Sequence, residues 1–150
     1  EANLKSLNIS LPTLNKPLAN YVHTVRTGNL IFTAGKGSAN PDGSLYTGKL
    51  GDDLTIEQGQ AAARLAGIRL LAALQAELGD LQKVKRIVKV LGMVNSTPDF
   101  TEHSQVINGF SDLMVAVFGE RGKHARSAVG MNSLPKNLAV EIEMIVEVED

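Results

Sequence analysis

No cysteine occurs in this 150-residue chain, which removes disulfides, thiol nucleophiles and thiolate metal sites from consideration. No apolar run approaches the roughly 18–20 residues that a membrane span needs. The opening EANLKSLNISLP also lacks the basic and apolar blocks of a secretory signal. A cytoplasmic protein that engages no membrane is the expectation. The formal net charge is -1, and no basic stripe interleaves with aromatics, so no nucleic-acid partner is expected. The phosphate-cradling G-x-x-x-x-G-K-[ST] and G-x-G-x-x-G patterns are absent, although Gly35-Lys36-Gly37 follows a predicted strand. His23, His103 and His124 fall in different segments without paired ligand spacing, so neither a metal nor a cofactor is expected. Ser127 lacks a G-x-S-x-G setting, and no serine shows an obvious His/Asp pair.

What remains is an ordinary globular composition, 43% hydrophobic and 21% charged, in a length that suits one domain with a sizeable core. Residues 1–19 carry Pro12 and Pro17 among polar residues and read as a mostly extended lead-in. Two β-rich runs, residues 21–26 and 30–34, flank Thr27-Gly28-Asn29 and predict a hairpin, because glycine and asparagine tolerate the positive φ of tight turns. Residues 37–54 are rich in turn formers and predict a long loop with room for a short strand. Thr55 and Gln58 fit a capping box. Ala62, Leu65, Ala66, Ile68, Leu70, Leu71, Leu74 and Leu78 then form an apolar stripe that predicts a helix over 55–78, with Gly79 suited to the residue past its end.

Residues 84–94 are β-branched and predict a strand. Residues 98–118 predict a second helix with Val106, Ile107, Phe110, Leu113, Met114 and Val117 inward. Two final strands joined around residues 134–137 read as a hairpin, which sets Arg126 opposite about Val146. The order β-β-α-β-α-β-β predicts an α+β fold, with two helices on one face of a mixed sheet. Two helices leave the other face bare, and a bare half-apolar face, assigned Arg126, Glu141, Ala128, Gly130 and Ile145 among its residues, predicts self-association.

The segment ARSAVGMNSLPKNLAVEIEMIVEVE, residues 125–149, carries the functional question. Val140, Ile142, Met144, Val146 and Val148 point one way in a strand; Glu141, Glu143, Glu147 and Glu149 point the other. Arg126 stands in an apolar strand, where an unpaired guanidinium is costly. Its fork suits a carboxylate. That carboxylate belongs either to Glu143, Glu147 or Glu149, or to a substrate, and the pattern fits both. His124 is a candidate proton donor or a solvated loop residue. Tyr21 and Tyr46 read as packing residues or ligand contacts, and Lys36 as a solvated loop cation. Gly35 and Gly37 mark a tight turn or a place where backbone approaches a ligand.

The string ARSAV…LPKNLAVEIEMI is similar to the C-terminal signature of the YjgF/RidA family, the L-PSP-like reactive-intermediate deaminases. NLIFTAGKG, the GDD-led helix, VKRIVKVLGMVNSTPDF and VFGE follow in the family's order, so the resemblance spans about residues 19 to 148. It implies a chorismate-mutase-like fold, a homotrimer with small-molecule clefts between subunits, and cofactor-free hydrolysis of enamines and imines to 2-keto acids and ammonia. It puts the carboxylate-binding arginine at Arg126, the active-site glutamate at Glu141, a strand-end glycine at Gly35, a cleft tyrosine at Tyr21 and a helix asparagine at Asn108. Three departures stand out. Ala128 replaces the usual cysteine, Lys36 replaces a common glutamine and adds a cation to the cleft mouth, and the 38–54 loop is long.

In this reading Arg126 anchors the carboxylate of a 2-imino acid while Glu141 orients water. With Arg126 opposite Val146, Glu141 lies about 16 Å away at ~3.3 Å per residue, so it belongs to a neighbouring subunit's cleft. The alternative is a non-catalytic trimeric protein that binds small metabolites at the same arginine. A nuclease ranks third.

Overall fold

Gly28 takes φ +58° and turns strand β1 (Thr24–Thr27) into strand β2 (Leu30–Thr33), with Thr27 opposite Leu30. The structure, a computed structural model, describes residues 2–17 and 19–150. The hairpin is shorter than the sequence suggests: Tyr21–His23 precede it, and Tyr21 is 56% exposed. The lead-in also differs, because residues 2–6 form a helical turn, α1 (Ala2–Ser6). Buried Leu4 and the Asn3 amide, which donates to Val117 O at 2.6 Å, pin it to the body of the protein.

A two-residue strand, β3 (Lys36–Gly37), opens the long loop. Leu50 is buried in that loop, and Asn95 anchors it by donating to Gly48 O at 2.9 Å. Helix α2 (Ile56–Leu78) begins where Thr55 and Gln58 exchange both bonds of a capping box, and ends at Gly79 with φ +79°. Strand β4 (Val84–Asn95) leads to helix α3 (His103–Phe118), then β5 (Ala125–Met131) and β6 (Val140–Val148). Helix α3 starts five residues after Pro98. Thr97-Pro98-Asp99-Phe100 forms a turn instead, docked by Thr97 N–H on Leu50 O at 3.0 Å.

The sheet runs β1-β2-β6-β4-β5, with β3 also on β6. β4 and β5 are parallel and the other pairs antiparallel, so the sheet is mixed. The α+β expectation holds. The terminal hairpin does not: β4 lies between β5 and β6, and Arg126 is level with Val90 and, across it, Met144 rather than Val146. A parallel β4–β5 pair needs a crossover, and α3 supplies it.

The core lies between the helices and one sheet face. Val90, Val94, Val140, Ile142, Met144, Val146 and Val148 meet Ala66, Leu70, Leu74, Ile107, Phe110 and Met114, all buried. The opposite face carries Val25, Phe32 and Ile145 in one cross-strand row, and Glu141, Met93 and Val129 in another.

Candidate functional site

Arg126 sits on β5, an edge strand, and its side chain turns toward α3 rather than the bare face. The reason is register. Arg126 is level with buried Val90, and Gly130 with buried Val94, so Arg126, Ala128 and Gly130 share the helix face. This corrects the expectation that Arg126 shares the open face with Glu141, and that Ala128 and Gly130 lie there. Arg126 Nη1 donates to Asn108 Oδ1 at 2.8 Å and to Ser111 Oγ at 3.1 Å. Asn108 and Ser111 are three residues apart on α3 and so present neighbouring side chains to it.

The ion-pair reading of Arg126 fails. Glu147 pairs with Arg86 at 3.4 Å, and among the described residues no carboxylate lies within ion-pair distance of Arg126. Its partners are neutral oxygens, so the positive charge is positioned but not cancelled.

Ser111 also contacts His124, with Oγ 2.8 Å from Nε2. His124 Nδ1 lies 2.6 Å from Gly122 O. A carbonyl only accepts, so Nδ1 carries the proton of the neutral ring and Nε2 presents its lone pair to the serine hydroxyl. Burial holds His124 below the usual histidine range, and the nearby Arg126 charge acts the same way against the pull of Gly122 O. No serine shows an obvious His/Asp pair in the sequence; the structure supplies the histidine partner for Ser111, with a backbone carbonyl in the third place, and Ser96 Oγ and His103 Nε2 also meet, at 3.3 Å. The Asn108/Ser111 spacing was the signal that sequence reading missed.

Glu141 belongs to a second location. It is level with Gly37 on one side and Met93 on the other, half-buried on the bare face. Gly35 lies against it: a Cβ there would stand 2.5 Å from Glu141 Oε2. Burial, and then the charge of Glu143, pushes the Glu141 carboxyl above its ordinary value. Gly35 and Glu141 are thus brought together, apart from Arg126.

Lys36 occupies a third location and is only 3% exposed, not a solvated cation at a cleft mouth. Strand alternation explains this: Lys36 pairs with core-facing Ile142 and so points beneath α2. Its Nζ hydrogen-bonds His23 Nδ1, while Arg69 of α2 donates to Gly37 O at 2.9 Å. Burial, and then the Arg69 charge, lowers the Lys36 amine to about 8. Burial likewise lowers the Arg69 guanidinium from its ordinary value, with nearby Tyr21 acting in the opposite sense. A cavity of about 560 Å³ borders this cluster at His23 and includes none of the groups around Arg126. Among the described residues, no three of His, Asp and Glu come together as metal ligands, and no helix is long and apolar enough to cross a membrane.

Residues 1–148 match the sequence family described as "YjgF/chorismate_mutase-like, putative endoribonuclease". Protein TCP17 of Trypanosoma cruzi is 47% identical over 150 residues, covering 99% of this chain and 94% of that protein. The 2-iminobutanoate/2-iminopropanoate deaminase of Escherichia coli (strain K12) is 33% identical over 143 residues, covering 91% and 94% respectively. The crystal structure of the protein Atu1372 from Agrobacterium tumefaciens superposes with a TM-score of 0.91 at 43% identity, covering 99% of this chain and 93% of that one. On a match that runs along nearly its whole length, the chain belongs to the YjgF/RidA family.

Proposed function

We propose that the protein hydrolyses reactive enamine and imine intermediates, above all 2-imino acids, to 2-keto acids and ammonia at a cleft between subunits. The observation that carries this reading is the uncancelled fork of Arg126 on edge strand β5, held by Asn108 and Ser111 of α3. A 2-imino acid offers a carboxylate for that fork and an electrophilic C=N one bond away. Fixing the carboxylate fixes the reacting carbon, and imines are reactive enough for positioning to accelerate attack by water. The relative named as an imine deaminase supports the same chemistry. Ala128 in the cysteine position removes a thiol but neither the anchor nor the water.

A homotrimer fits the bare sheet face. Val25 is 56% and Phe32 41% exposed, in one row with Ile145, which is more apolar surface than a solvated strand needs. Neighbouring copies that cover it also bring a second chain to the edge at Arg126. In this arrangement Glu141 and Gly35 of one subunit complete the cleft of another, where Glu141 orients water.

The second reading is a trimeric protein that binds small metabolites without turning them over. The separation of Arg126 from Glu141 within one chain favours it, since anchor and glutamate do not form a complete site alone. Freshly generated 2-iminopropanoate decides between them. Accelerated release of pyruvate and ammonia is expected; calorimetric binding of pyruvate without acceleration selects the second reading.

A further inference from the structure

Four groups form one directed hydrogen-bond chain beside the anchor. Arg126 Nη1 donates to Ser111 Oγ at 3.1 Å, Ser111 Oγ donates to His124 Nε2 at 2.8 Å, and His124 Nδ1 donates to Gly122 O at 2.6 Å. A hydroxyl, a base within reach of it and a third group orienting the base is the arrangement that moves protons at enzyme sites. The imidazole is fixed further by an edge contact with the Phe110 ring, centroids 5.8 Å apart. A serine that served only to steady Arg126 would need no base behind it.

We propose that Ser111 and His124 are the proton relay of this site, passing protons between the reacting water, the imine nitrogen and the imidazole. The proposal rests on the imine-hydrolase reading and names the acid–base group within it. A 2-imino acid held by the remaining donors of Arg126 lies next to Ser111 Oγ, within reach through one water. Water oxygen bonds to C2 of the protonated imine, and the C=N π pair moves to nitrogen. The water proton passes to Ser111 Oγ as the serine's own proton passes to His124 Nε2, leaving a carbinolamine and an imidazolium. The imidazolium returns that proton through Ser111 to the amino group. The C–N bond breaks, ammonia leaves with the bonding pair, and an oxygen lone pair forms the C=O bond. The hydroxyl proton follows the ammonia, giving ammonium, a 2-keto acid and neutral His124.

The groups around the imidazole permit this cycle. Arg126 on β5 is the nearby cation and opposes the imidazolium, which favours returning the proton. Glu120 and Lys123 in the preceding turn pair with each other at 2.9 Å. From α3 the ring meets Phe110 and Ser111, while Asp112 next to them is exposed. Lys89 of β4, level with Ala125, is held by Ser127 at 3.0 Å.

The test measures pyruvate release from 2-iminopropanoate, generated in place by an amino-acid oxidase, for wild type, Ser111→Ala and His124→Gln across pH 5 to 9. Each variant should lose about 10²-fold in kcat with KM held within about threefold, because Arg126 and Asn108 remain. The acid limb of the wild-type kcat/KM profile should disappear in His124→Gln, and added imidazole should restore part of the rate to His124→Ala. Melting and sedimentation confirm folded chains; if the histidine variants unfold, Ser111→Ala carries the test. An active wild type whose variants keep kcat and the acid limb overturns the relay and leaves the deaminase reading standing. A raised KM at unchanged kcat in Ser111→Ala also overturns it, by making the serine a support for Arg126 alone. A wild type that gives no acceleration overturns the reading, and the relay with it.

Discussion

Arg126 and Glu141 lie on opposite faces of one sheet, with β4 between their strands. Glu141 is level with Met93 and Val129, three residues along β5 from Arg126. Three residues and two strand spacings put their Cα atoms about 14 Å apart, with side chains diverging. One substrate of a few carbons does not span that gap, so a shared reaction requires two chains. Mixing Arg126→Ala with Glu141→Ala chains tests this. In the proposed trimer, reassembled mixtures should regain roughly a quarter of wild-type clefts if the site pairs one residue from each of two subunits. No recovery in trimers shown to be mixed places Glu141 outside the reaction.

Arg126→Lys retains the charge but presents three rotatable donors on one nitrogen instead of a planar fork. Turnover of 2-imino acids should fall by about 10²-fold while melting temperature and assembly remain unchanged. Near-normal activity in this variant would show that the fork anchors nothing.

Gly35→Ala places a methyl group 2.5 Å from Glu141 Oε2, the mobile end of a half-buried side chain. The carboxylate can swing aside, so stability should change by about 1 kcal/mol or less. Catalysis should fall sharply if the position of that carboxylate matters, with KM for the imino acid little altered. Unchanged kcat would separate Glu141 from the chemistry without invoking misfolding.

Lys36 links stability to alkaline pH. Its amine titrates at about 8 when folded, against 10.5 as the reference value. Between those values the unfolded chain holds a proton that the folded chain has released, so stability rises with pH across that window. Urea unfolding of wild type and Lys36→Met at pH 7.5 and pH 10 provides the check. The wild type should gain on Lys36→Met as pH rises; a constant difference would mean the folded amine is not perturbed.

Much of this architecture was legible locally. The two-residue turn at Gly28, the capping box of Thr55 and Gln58, the termination at Gly79 and the inward stripe from Val106 to Val117 each depend on neighbours within a few residues. The alternation from Val140 to Val148 likewise set which side of β6 is buried. Boundaries shifted where a distant partner intervened, as when Thr97 docked on Leu50 and delayed α3.

The sequence by itself determined the types of the long helices and main strands, the bare sheet face and the oddity of an arginine in an apolar strand, because periodicity and side-chain chemistry act over short distances. Tertiary structure alone decided that β4 separates β5 from β6. Strand order depends on crossover geometry and long-range pairing, which no local pattern encodes. Within that order, the register of β5 on β4 turned Arg126 toward Asn108 and Ser111 and away from Glu141. Long-range pairing also buried Lys36, which looks like a solvated loop cation between two glycines until β3 pairs with β6 and directs it beneath α2. Each residue's chemistry was written in its side chain; which groups it meets was set by the packing of helices and strands far apart in the chain.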